Sequence, residues 1–143
     1  MNTFYHITEI AQRTGLSAHT LRYYEQIGLM DAVRRRNGRR VYNDHDVRWL
    51  EFVLRLRSTG MSIAQMLRYA ELRRLGEKLE SVHERREMLV EHARHVRDKV
   101  AALNEHLSVL NDKIDLYADI ESRLNHKKDA QNEQPKFNPS RNP

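Results

Sequence analysis

Arginine is the residue type with the most chemistry to offer in this sequence, and it is unevenly placed. Residues 1–76 hold 13 Arg, no Lys and 7 acids, net +6. Residues 77–126 hold 8 bases and 11 acids, net −3, and residues 127–143 hold 4 bases and 2 acids, net +2. Five arginines, Arg34, Arg35, Arg36, Arg39 and Arg40, fall within seven residues around Asn37-Gly38. Guanidinium forks match phosphates and guanine edges. Five like charges this close repel one another unless a polyanion relieves them. A second cluster is Ser17, His19, Arg22, Tyr23 and Tyr24. Arg22 follows His19 by three residues and lies on the same side of a helix, where Ser17, His19 and Arg22 reach base edges or phosphates. A tyrosine hydroxyl beside an arginine suits phosphate clamping. Tyr24 suits the core equally well, and the sequence leaves that choice open.

Other chemistries are poorly supported. There are no cysteines, which removes disulfides, thiolate metal sites and thiol nucleophiles. The five glycines are scattered, so no phosphate-cradling loop exists. No nucleophile sits with a base, and no paired carboxylates mark a pocket, so no enzyme is expected. His92 and His95 stand three apart near Glu91, with His83 and Glu87 one to two turns earlier. Imidazole and carboxylate can bind transition metals. Scattered histidines on a polar helix are ordinarily just solvated, however, and neither a metal nor a cofactor is expected. No apolar run reaches the roughly 18 residues of a membrane span. The opening Met-Asn-Thr-Phe-Tyr-His lacks the charged start and apolar stretch of a signal peptide. No membrane partner is expected, and the expected location is cytoplasmic, with the nucleoid.

The elements that must position these residues follow from spacing and punctuation. Ile7, Ile10 and Ala11 predict a helix over about 8–14, capped by Thr8. After a turn at Gly15-Leu16, Ser17 caps a second helix over about 18–27, with Leu21, Tyr24 and Ile27 on one side. Two short helices joined by a tight turn read as helix-turn-helix. Asn37-Gly38 favours a two-residue type I′ turn, and so a basic hairpin, or wing. Asn43 caps a third helix, with Val47, Leu50, Val53, Leu54 and Met61 inward and Trp49 and Phe52 flanking. Gly60 ends it. Ser62-Ile63-Ala64-Gln65 is a capping box opening a fourth helix, which Gly76 closes. From Glu77 to Leu124 there is no Gly or Pro. Leu89, Val96, Leu103, Leu110, Tyr117 and Leu124 recur every seven residues, with Leu79, Ala93, Val100, Leu107 and Ile114 as companions. This heptad pattern predicts a coiled coil, about 48 residues and roughly 70 Å long. So narrow a stripe is not buried within one chain, so a homodimer is expected, held by Leu89, Val96, Val100, Leu103, Leu107, Leu110 and Ile114. Strand orientation is not in the pattern. The expected organisation is a winged helix-turn-helix domain at 1–76, a coiled coil at 77–125 and a disordered tail at 126–143.

This combination resembles the MerR family of bacterial transcription regulators. The resemblance runs through Ile7-Thr8-Glu9-Ile10-Ala11, Gly15-Leu16-Ser17, Thr20-Leu21-Arg22-Tyr23-Tyr24-Glu25 and Ile27-Gly28-Leu29. It continues through Asn37-Gly38-Arg39-Arg40-Val41-Tyr42, Asp46, Leu50, Phe52-Val53, Gly60-Met61-Ser62-Ile63 and Met66. It implies a mainly α fold, a winged helix-turn-helix followed by an antiparallel coiled coil. It also implies a homodimer on an inverted repeat in double-stranded promoter DNA, which it bends and untwists for RNA polymerase. Such deformation costs on the order of 1–10 kcal/mol, offset by contacts and effector. Carried over, Arg22, Tyr23 and Tyr24 would grip phosphates or bases, and Arg40 and Tyr42 would contact the backbone from the wing, beside Arg36 and Arg39. His19 stands where relatives often carry a basic residue. The branch most similar is the small one that responds to aldehydes and other electrophiles. Its reactive cysteine is absent here, where the helix reads Val53-Leu54-Arg55-Leu56, so the effector is unknown. The alternative reading is an architectural or recombination-accessory DNA-bending protein that needs no effector.

Overall fold

The structure, a computed structural model, describes residues 3–132. The chain divides into two units, Met1–Arg97 and Asp98–Pro143. The first unit opens with β1 (Phe4–His6), α1 (Ile7–Thr14) and α2 (Ala18–Gln26). The hairpin β2 (Arg35–Arg36) and β3 (Arg39–Asn43) follows, then α3 (Asp44–Ser58) and α4 (Ile63–Arg74). α5 runs over Leu79–Asn132. The mainly helical fold with its N-terminal helix-turn-helix is the expected one.

Local chemistry explains most boundaries. Ser17 Oγ accepts from the Thr20 N–H at 3.0 Å and caps α2. Asn43 and Asp46 form a reciprocal capping box at the start of α3, as do Ser62 and Gln65 at the start of α4. Asn37 and Gly38 both have positive φ, 53° and 75°, as the type I′ turn requires. Three boundaries differ from expectation. α1 starts at Ile7, with His6 rather than Thr8 at the cap. Its first turn is completed by Glu9, whose carboxylate accepts the His6 N–H at 3.4 Å. Met61 lies past the end of α3, in the turn, yet is buried. α5 continues to Asn132, so residues 126–132 are helical instead of disordered. No glycine or proline stands there to break the helix. The rest of the expected tail, residues 133–143, lies outside the described residues.

β1 was not foreseen. It pairs antiparallel with β3, Tyr5 opposite Tyr42, giving a three-stranded sheet of order β1-β3-β2. The core joins Ile10, Leu21, Leu29, Tyr42, Val47, Leu50 and Val53, each apolar side chain gaining roughly 1.5–3 kcal/mol from burial. Trp49 stacks on Tyr69 with ring centroids 5.9 Å apart, and its indole N–H donates to the Leu29 carbonyl at 2.9 Å. The first unit also extends beyond residue 76. Ser81 Oγ donates to the Leu72 carbonyl at 2.5 Å, Arg68 meets Glu84 at 2.8 Å, and Leu89 packs on the core. These contacts tie the start of α5 to the first unit, which runs to Arg97.

Candidate nucleic-acid interface

α2 is short, but its two ends are held firmly. Ser17 anchors the amino end. Near the carboxyl end, the Tyr24 carbonyl accepts the Leu29 and Met30 N–H groups. Between them Leu21 and Tyr24 face the core, while Ser17, His19, Arg22 and Tyr23 are exposed. Tyr23 remains 46% exposed.

The wing carries an unusual charge arrangement. In its hairpin register Arg35 faces Arg40 and Arg36 faces Arg39. Like charges directly opposite each other on paired strands destabilise the pairing. Among the described residues Arg22, Arg34, Arg35, Arg36 and Arg39 form no salt bridge. Arg22, Arg39 and Arg40 join Gly38 and the start of α1, His6, Ile7 and Thr8, around an open cavity of about 380 Å³. Three arginines and the amino end of α1 line it, a set of positive groups that favours an anion.

Two expected contacts are corrected, those of Tyr24 and Tyr42. Tyr24 is buried, and its hydroxyl accepts a hydrogen bond from Arg57 Nη1 at 3.1 Å, tying α2 to α3. Tyr42 is wholly buried, and its hydroxyl has no hydrogen-bond partner among the described residues. Burial, followed by the nearby Glu25 charge, raises its pKa above the ordinary 10.0. Neither ring is on the surface, because both fill the space between α2, α3 and the sheet. Arg40 is only partly exposed, and its Nε donates to Glu25 Oε2 at 2.8 Å.

Glu25, the last residue of Thr20-Leu21-Arg22-Tyr23-Tyr24-Glu25, has a role that residue type and spacing do not assign. Its other oxygen, Oε1, accepts the Val33 N–H at 3.1 Å. Burial alone would raise its pKa. The Arg40 hydrogen bond, the Val33 N–H and the charges of Arg40 and Arg35 outweigh burial and hold it below the ordinary 4.5. A signal was present in the sequence, since Glu25 is the one acid between Glu9 and Asp31.

The second unit presents the other expected surface. Val100, Leu103, Leu107, Leu110 and Ile114 are 50–65% exposed. Val96 is half-buried. Leu89 departs from the expected set, because the first unit's own core already covers part of it. Among the described residues no group of three or more His, Asp or Glu side chains could hold a metal, and no helix is long and apolar enough to cross a membrane.

Comparison with known proteins adds context. Residues 5–72 match the pattern of the MerR HTH family regulatory proteins. The chain is 33% identical over 127 residues to the HTH-type transcriptional regulator YyaN of Bacillus subtilis, covering 81% of this chain and 92% of that protein. It is similar in structure to a MerR family transcriptional regulator of Listeria monocytogenes (TM-score 0.79, 31% identity, 91% and 99% coverage). A second neighbour is HiNmlR, a MerR family regulator lacking the sensor domain, bound to promoter DNA (TM-score 0.74, 30% identity, 84% and 94% coverage).

Proposed function

Because the chain belongs to the MerR family of HTH regulatory proteins, a family of transcriptional regulators, we propose that it acts as a homodimer on an inverted repeat within promoter DNA. The dimer distorts that DNA so that RNA polymerase can use the promoter. The observation that carries this reading is the wing, where arginine faces arginine across the hairpin and, among the described residues, Arg35, Arg36 and Arg39 have no salt bridge. The phosphate backbone supplies the missing counter-charge. Ser17, His19, Arg22 and Tyr23 on α2 enter the major groove. Arg36, Arg39 and Arg40 follow the flanking backbone. Tyr24 and Tyr42 support these contacts from the core without making them.

The exposed stripe from Val96 to Ile114 pairs with its copy and sets the spacing of the two half-sites. In this reading the functional parts are the winged helix-turn-helix with the start of α5, and the remaining helix as dimeriser. The protein works in the cytoplasm at the nucleoid.

The test is a footprint of the purified protein across the neighbourhood of its own gene. The expected result is a protected inverted repeat inside a promoter spacer. Protection away from any promoter would replace this function with an architectural one. No protection above that of random duplex would refute sequence-specific binding.

A further inference from the structure

The wing has to be held against α2 for the two to read one DNA site together, and one side chain makes that connection. Glu25 closes the last turn of α2. Its Oε1 takes the Val33 N–H on the way into β2, and its Oε2 takes Arg40 Nε on β3. Both partners of the ion pair are shielded, with side-chain exposures of 19% for Glu25 and 22% for Arg40. A guanidinium has five N–H donors. Glu25 engages the one on Nε, and among the described residues the four terminal donors of Arg40 make no hydrogen bond. Arg40 lines the cavity shared with Arg22, Arg39 and the start of α1.

We propose that Glu25 is a positioning residue for DNA recognition: it locks the wing to α2 and presents the terminal edge of Arg40, together with Arg22, to one backbone phosphate. This rests on the DNA-binding reading above. It extends that reading by assigning the relative placement of helix and wing to a carboxylate that touches no DNA. A negative charge this near the phosphates weakens non-specific attraction, so its presence needs a role of this kind. The same charge offsets the repulsion between Arg35 and Arg40, which face each other in the hairpin. It therefore both orders the wing and keeps it from binding every duplex equally.

The experiment compares wild type, Glu25→Gln and Glu25→Asp on two duplexes of equal length. One is the sequence the wild-type protein enriches from a random pool, and the other is unselected random sequence. Simple charge removal would strengthen binding to both. Positioning predicts the opposite split for Glu25→Gln. Affinity for the selected duplex falls about ten- to hundredfold, the span of one misplaced charge-assisted contact, while affinity for random duplex holds or rises. Glu25→Asp, one methylene shorter, recovers only part of the loss. In an Arg40→Gln background, Glu25→Gln has little further effect on the selected duplex. A fold defect would lower both affinities together and would show in the melting curve, so the ratio of the two affinities is the readout. An unchanged ratio in Glu25→Gln overturns the proposal. Failure of the wild-type protein to enrich any sequence refutes the DNA-recognition reading itself and, with it, this inference.

Discussion

Leu107→Ala tests the dimer most sharply. Leu107 is 53% exposed on one chain, and Leu103 and Leu110 are 65% and 59% exposed. Fully burying a leucine is worth roughly 1.5–3 kcal/mol, so a half-exposed one has about 1–2 kcal/mol left to gain. A two-fold pair counts it twice, so truncation costs the dimer about 2–4 kcal/mol before any cavity penalty, a loosening of roughly 30- to 1000-fold. Alanine keeps full helix propensity, so the helix itself is unharmed. Val109→Ala is the control, because Val109 is 67% exposed but stands outside the heptad seam. Sedimentation equilibrium over a dilution series gives the answer. Wild type and Val109→Ala hold a mass twice the chain's 17.0 kDa to far lower concentration than Leu107→Ala. If both variants dissociate at the same concentration as wild type, the seam is not the interface.

Two further outcomes follow from the first unit. Tyr42→Phe removes a buried hydroxyl that has no partner among the described residues, so it raises the urea midpoint, worth about 1–2 kcal/mol; a lower midpoint would mean the hydroxyl is bonded. The Glu25 carboxyl titrates below its ordinary value in the folded chain, so its stabilising contribution is present above about pH 4.5 and is lost as pH falls through the lowered folded value. Urea titrations through the acid range should show a shallower loss for Glu25→Gln than for wild type, and an identical slope would contradict the linkage.

The parts legible in the sequence were those fixed by neighbours along the chain. Ser17, Asn43 and Ser62 cap helices through hydrogen bonds three residues on. Asn37-Gly38 needs only its own backbone preference to turn. β1 was illegible because three residues carry no period, and its existence depends on β3, 39 residues away at Phe4 and Asn43. The tyrosines of the site divided for the same reason. Spacing put Tyr24 with Leu21 and Ile27 on the apolar side of α2 but left its hydroxyl equally suited to a phosphate, and only its burial beside Arg57 of α3 settles that choice. Leu89 kept its heptad phase but is partly claimed by a core the heptad cannot see. Glu25 was hidden because its partners, Val33 and Arg40, come together only when the hairpin folds back on α2.

The single tryptophan also makes the molecule its own optical probe. Trp49 is 7% exposed, lies against Tyr69, has the Arg73 guanidinium 4.2 Å from its ring and donates to the carbonyl of Leu29. Leu29 is in turn hydrogen-bonded to Tyr24 of α2. The indole therefore stands, almost wholly buried, where the end of α2 meets α3 and α4. Any event that shifts those three helices against one another changes the distance from the ring to the Arg73 cation and the strength of one hydrogen bond. Such movement is thus visible in unlabelled protein, at the joint through which a change in the helices would have to reach DNA.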